Sequence, residues 1–185
     1  MDPTAIVVLV IVAVIALAML LIYNGLVQAR LKVREAWSGV GVQLQCRAQL
    51  VPNLVETVRG YASHERQTFE SVTAARTAVQ GATTPGEAMA ANNQLTSALR
   101  TLFAVAEAYP DLKANQGFLD LQAQLAETED KIAYARNYYN AVVREYNGKV
   151  ATVPSSFVAG AFGFKESEFF EADEGSQAPV KVSFS

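Results

Sequence analysis

Every position from Ala5 to Ile22 is apolar, and Tyr23 closes the run. A helix of that length reaches roughly 28 Å, the thickness of a bilayer's hydrocarbon core, and only a helix or a closed barrel satisfies its own backbone there. The pattern predicts a transmembrane helix over residues 5–23, with Ala5, Ile6, Val10, Val14, Leu17, Leu21 and Tyr23 among its spanning positions and residues 1–4 beyond it. Two other readings compete. A core helix is rarely apolar on every face for so long. Ala16-Leu17-Ala18 resembles a signal-peptide cleavage site, but no Lys or Arg precedes the run, which continues past that site to Ile22. An uncleaved anchor is favoured.

Beyond the span the apolar positions become periodic. Val33, Trp37, Val40, Leu44, Val51, Leu54, Val58, Tyr61, Phe69 and Val72 recur mostly at three or four residues, with gaps at Arg47 and Glu65. One amphipathic helix is predicted over about residues 26–80. Pro52 removes a backbone bond and presses on the Ala48 carbonyl, yet the stripe keeps its phase across it, so a kink is expected rather than a hairpin. Gly81 to Gly86 reads as a loop. Thr84 is placed to cap a second helix, 85–109, with Pro85 at its first position and Glu87 in its first turn. Leu95, Leu99, Leu102, Val105 and Tyr109 supply that helix's buried face, and Tyr109-Pro110-Asp111 ends it. Phe118, Leu121, Leu125, Thr128, Ile132, Ala135, Tyr139, Val142 and Tyr146 keep a period of about 3.5 residues, which predicts a third helix, 118–150, packed nearly parallel to a partner.

The fold class that follows is all-α: a single transmembrane helix continuing into a long-helix antiparallel bundle over residues 24–150. Residues 151–185 form a tail that changes character. It holds Phe157, Phe162, Phe164, Phe169, Phe170 and Phe184, six of the nine phenylalanines. Pro154-Ser155-Ser156 starts one helical turn through Ala161, and Val180, Val182 and Phe184 alternate like a short strand. The tail is expected to pack its rings over the open end of the bundle; the sharper alternative is contact with another subunit or protein.

Helix lengths carry a further expectation. At 1.5 Å per residue the three helices beyond the span measure roughly 75, 36 and 50 Å, so the later two would cover only the far part of the first. Val33, Trp37, Val40 and Leu44 would then lie open, and an exposed stripe of that size marks an interface. Those four residues are the expected subunit contact of a homo-oligomer.

Charge narrows the partners. The formal net charge of -3 arises mainly in the acidic tail, and the bundle is close to neutral. Nucleic acid is not expected as a partner, because phosphate binding needs an excess of Lys and Arg on one face. The lipid bilayer is. Arg30, Lys32 and Arg34 follow the span and nothing basic precedes it, so the positive-inside rule puts the amino end outside and the main domain in the cytoplasm. One cysteine, Cys46, excludes an internal disulfide and fits a reducing compartment.

Candidate chemistry is sparse. His64-Glu65 begins like the zinc-protease HExxH, but Thr68 stands at the fifth position and the chain has no second histidine. Cys46 and His64 would lie roughly 27 Å apart on one helix, too far for a thiol–imidazole pair. No Gly-rich phosphate loop, nucleophile elbow or repeated Glu-x-x-His pair is present. No catalytic, cofactor-binding or metal-binding residue is therefore expected, nor any cofactor. Polar groups on otherwise apolar helix faces remain: Arg47, Glu65, Arg100, Glu107, Glu129, Arg136 and Asn140. Tyr139-Asn140 and Tyr146-Asn147 repeat one heptad apart. These groups are read as an inter-helix polar network that fixes register.

With those residues in view, the chain resembles the LemA family from Tyr23 onward. The likeness is carried by Tyr23-Asn24-Gly25-Leu26-Val27, Ala36-Trp37-Ser38, Val42-Gln43-Leu44, Leu50-Val51-Pro52-Asn53-Leu54-Val55 and Gly60-Tyr61-Ala62-Ser63-His64-Glu65. It continues in Glu107-Ala108-Tyr109-Pro110-Asp111-Leu112-Lys113-Ala114-Asn115, Thr128-Glu129, Ala135-Arg136, Tyr139-Asn140, Glu145-Tyr146-Asn147, Ala159-Gly160 and Phe162-Gly163-Phe164. The resemblance implies a bacterial protein of the cytoplasmic membrane, with an amino-terminal span, an antiparallel bundle and no established enzymatic activity. Genes of the family often accompany those for membrane metalloproteases or TPM-domain proteins, so it implies one of these as a partner. Departures occur where the family usually carries Asp near Gly41, Lys-Arg near Gln45-Cys46 and Asp near Gln49, and a Phe where this chain has Val153. The function expected is a non-enzymatic, membrane-anchored helical scaffold that self-assembles and organises envelope proteins or membrane. The alternative is an adaptor or accessory subunit of a membrane protease or other membrane complex.

Overall fold

The structure, a computed structural model, describes residues 2–170. It contains six helices: α1 Pro3–Arg59, α2 Arg66–Gly81, α3 Pro85–Ala106, α4 Pro110–Lys113, α5 Gln116–Ala151 and α6 Ser155–Phe162. No strand occurs among the described residues; the alternating Val180, Val182 and Phe184 lie outside them. The chain divides into two compact units, one of Met1–Gln43 with Lys131–Glu168, the other of Leu44–Asp130 with the described start of Phe169–Ser185.

The first unit contains the apolar span, which belongs to α1, is long and apolar enough to cross a membrane, and is exposed until Ile22 and Tyr23, which are half-buried. Past Tyr23 the same helix turns amphipathic without a break, burying Leu26, Ala29, Val33, Ala36 and Val40. On α5 the buried positions are Ile132, Tyr139, Val143 and Tyr146. The ring of Trp37 meets that of Tyr139 at a centroid distance of 5.7 Å. Gly163, at φ 70°, ends α6 in the left-handed conformation that glycine adopts without a Cβ penalty. Phe164 N–H then donates to the Ala159 carbonyl at 2.9 Å, and the chain leaves α6 in an extended path.

The second unit packs the end of α1 with α2, α3, α4 and the start of α5. Val51, Leu54 and Val58 of α1, Phe69 and Val72 of α2, Leu95, Leu99 and Leu102 of α3, and Phe118 and Leu125 of α5 are buried. Thr84 and Glu87 form a complete capping box at the start of α3, with Pro85 in the first turn. Asn115 starts α5 by accepting the Phe118 N–H at 3.0 Å.

One expected boundary is wrong. The helix expected to reach residue 80 stops at Arg59, and residues 60–65 turn before α2 begins. Apolar spacing bridged the turn, because Val58, Tyr61 and Phe69 keep nearly the interval of one helix. Pro52 causes neither a stop nor a hairpin; α1 runs through it for another seven residues to Arg59.

Candidate functional site

Among the described residues each unit has a concentration of polar groups at its packed face. In the first unit it is a strap. Residues 164–168 lie along α5, held by side chains from two levels of that helix about two turns apart. Tyr139 donates its hydroxyl to the Glu168 carbonyl at 2.7 Å, and Tyr146 donates to the Lys165 carbonyl at 2.8 Å. Asn147 uses both ends of its amide, donating to the Ser167 carbonyl at 2.9 Å and accepting the Ser167 N–H at 2.8 Å. That pairing does for one residue what a neighbouring strand would do. Burial pushes both phenols above the ordinary tyrosine value; Glu168 adds to the effect at Tyr139, and Arg30 works against it at Tyr146. The two phenols and the amide therefore act as neutral hydrogen-bonding groups.

Heptad spacing suggests pairing between helices for this repeat, whereas Tyr139, Tyr146 and Asn147 bond the strap. The signal for its real use was available: phenols and an amide on an apolar helix face, followed by a Phe-rich segment broken by glycines. Of the neighbouring residues assigned to the network, Arg136 and Asn140 are half-buried on α5 in this first unit.

In the second unit the polar centre is Arg47. Its guanidinium is only 5% exposed and donates to Asn92 Oδ1 at 2.7 Å and Thr96 Oγ1 at 3.0 Å. Glu129, half-exposed on α5, approaches the same nitrogen at 2.5 Å as an ion pair without the alignment of a hydrogen bond. Burial lowers the Arg47 pKa and Glu129 offsets only part of that; an arginine stays charged all the same. Arg100 and Glu107 are exposed and line, with Arg47 and Glu129, an open groove of about 570 Å³. Its walls carry both signs of charge and single out no ligand. Glu65 lies elsewhere, at the N-cap of α2, where it makes no capping bond with its side chain.

The expected subunit contact needs correction. Val33, Val40 and Leu44 are 7%, 0% and 4% exposed within the single chain, and Trp37 packs on Tyr139. The stripe is covered intramolecularly, because α1 ends at Arg59 and not near residue 80, which brings α5 alongside it, so its exposure no longer argues for a second subunit. The family departures Gly41, Gln45, Cys46 and Gln49 are all exposed, so their missing charges alter surface and not core. Cys46 is a free thiol on α1, and His64 sits in the turn after it. Among the described residues no group of three or more His, Cys, Asp or Glu side chains could hold a metal ion.

An apolar helix that fits a membrane location and continues into an all-α bundle defines the class: a membrane-associated helical protein. The LemA family model matches residues 36–184, and the chain belongs to the LemA family. It is 28% identical to the magnetosome proteins MamQ 1 and MamQ 2 of Paramagnetospirillum magneticum, over 94% of this chain and 73% of each of theirs. It is 24% identical to protein LemA of Metamycoplasma hominis, over 86% of this chain and 74% of that one. None of these names denotes an enzyme.

Proposed function

We propose that this protein is a non-enzymatic scaffold, anchored in the membrane and acting by holding other molecules in place. The observation that carries the reading is the unbroken passage of α1 from an unburied apolar span into Leu26, Ala29 and Val33 of the bundle core. A helix without a joint fixes the bundle's height and facing above the bilayer, which organising neighbours requires and tethering alone does not. Self-assembly is part of the proposal, through a surface other than the stripe from Val33 to Leu44, which the chain's own packing already fills. The main domain is assigned to the cytoplasmic side on the bias of Arg30, Lys32 and Arg34. The relatives' names, two of them magnetosome proteins, are compatible with such work and name no reaction.

The test is cross-linking of the full chain in its membrane, followed by purification in mild detergent. The proposal expects particles holding several copies, with or without envelope proteins in fixed ratio. A chain recovered single and alone overturns it. Recovery of one membrane protease in stoichiometric amount replaces it with the adaptor reading.

A further inference from the structure

We propose that the uncharged segment between α5 and the strap is a second membrane-contacting element, with α6 lying in the lipid headgroup boundary beside the span. The inference rests on residues 5–23 being a membrane helix and deepens that reading. No residue from Val150 to Phe164 carries a charge, and a lysine stands at each end, Lys149 and Lys165. The segment is not a free loop. α6 lays Val158 and Ala159 on Leu26, with Ile22, Tyr23, Val150 and Phe164 packed around them. Tyr23, the last residue of the span, meets the Phe162 ring at 4.9 Å and the Phe164 ring at 5.7 Å. Packing thus fixes α6 at the level where the span leaves the bilayer.

Much of the segment's apolar surface stands open. Val153 is 72% exposed and Phe157 73%, and Phe162, with one side of its ring on Tyr23, is still 63% exposed. Two phenylalanines turned outward on an eight-residue helix lose hydrophobic stabilisation in water, whereas the headgroup boundary accepts aromatic rings and short apolar helices. Lipid is the occupant because the patch is continuous, through Tyr23 and Ile22, with span residues such as Leu20 and Leu21 that stand exposed in the chain and belong in the bilayer. Charge agrees. Lys165 and Arg30 are exposed, both close to Tyr146, and carry the sign that anionic head groups attract; Lys149 shares its ammonium with Glu145 at 2.7 Å.

The test uses the full chain with Cys46→Ser and one new cysteine carrying an environment-sensitive fluorophore, reconstituted in vesicles of phosphatidylcholine and phosphatidylglycerol. The test position is Phe157→Cys, with Phe162→Cys as a second in case the first fails to fold. Val10→Cys reports the span, Ala90→Cys reports water, and Trp37 emission checks that each variant is folded. At position 157 the expected result is blue-shifted emission, quenched strongly by lipids with a doxyl group near the head and weakly by lipids with one near the chain end. Emission at 157 resembling that at 90, while 10 is quenched from the bilayer interior, overturns the proposal and leaves the anchor intact. Loss of lipid quenching at 10 overturns the anchor itself. Shielding from aqueous iodide at 157 without quenching by either lipid overturns it in favour of a protein cover.

Discussion

Arg76 of α2 donates from Nε to the carbonyl oxygen of Ala48 on α1 at 3.0 Å. That carbonyl is the one Pro52 deprives of its partner, since the N–H of a residue four positions on would ordinarily bond it. A side chain from another helix replaces the missing backbone donor, and α1 continues to Arg59. Arg76→Met is expected to cost about 1–2 kcal/mol, the usual penalty for a buried acceptor left unmade. In a Pro52→Ala background the backbone N–H restored at that position takes the carbonyl, and the cost of Arg76→Met should shrink. Denaturant unfolding of the four variants in mild detergent checks it; equal costs in both backgrounds would count against the pairing.

At Arg47 the two sides of the ion pair are not equivalent. Glu129 is half-exposed and can turn to water, whereas the guanidinium is buried. Glu129→Gln should therefore destabilise more than Arg47→Met, by about 1 kcal/mol, because a buried charge left without its counter-charge costs more than an absent one. The same unfolding measurement decides it, and the reverse order would refute the argument.

The strap can be loosened one bond set at a time. Asn147→Leu removes both hydrogen bonds to Ser167 while keeping the side chain's bulk. The expected effect is local opening of residues 164–168 by about 1.4 kcal/mol, read as roughly tenfold faster tryptic cleavage after Lys165. Unchanged cleavage would mean that Tyr139 and Tyr146 hold the strap unaided.

Alkali should release the strap. The folded chain raises the Tyr139 and Tyr146 pKa values above the ordinary 10.0, chiefly by burial, so it binds their protons more tightly than the unfolded chain does. Their contribution is complete below pH of about 10 and is lost as pH rises through the folded values. A phenolate also has no proton to give to the Glu168 or Lys165 carbonyl. Cleavage within residues 164–168 by an alkaline protease that needs no charged side chain should climb across that window, and the Tyr139→Phe, Tyr146→Phe double variant should be cleaved quickly at every pH, without the climb.

At the acid side the relevant group is Glu87, exposed in the capping box of α3. Hydrogen bonds from Thr83 and Thr84 lower its pKa below the ordinary 4.5, so its contribution is present above that value and fades as pH falls through the folded one. Thr84→Ala should cost about 1 kcal/mol near neutrality. Glu87→Gln should flatten the acid dependence of α3 unfolding, followed by hydrogen exchange of its first turn; a profile unchanged by the substitution would argue against the box.

How legible the chain was depended on whether a residue's use is local. The long apolar helix and the Thr84 cap follow from neighbours in sequence, and both are present. The two gaps in the long apolar stripe looked alike and have different causes. Arg47 is a buried guanidinium facing Asn92 and Glu129, whereas Glu65 marks the start of a new helix after a turn. Periodicity does not distinguish them, because Val58, Tyr61 and Phe69 keep their spacing across the turn. The covering of Val33 and Val40 was missed for a related reason. A first helix running to residue 80 would leave that stripe beyond the reach of α5, whereas one ending at Arg59 brings it alongside. The strap was hidden because its acceptors are backbone carbonyls, which no side-chain pattern announces.

The lack of any joint in α1 between Tyr23 and Leu26 sets a gearing between the apolar stretch and the bundle. One residue inserted there would turn everything beyond it by about 100° and lift it by about 1.5 Å. Tyr23 would swing off the Phe162 and Phe164 rings while Leu26 kept its seat under Val158 and Ala159. Substitutions in this turn can be absorbed one side chain at a time, but a change of length would put the span and the bundle out of step.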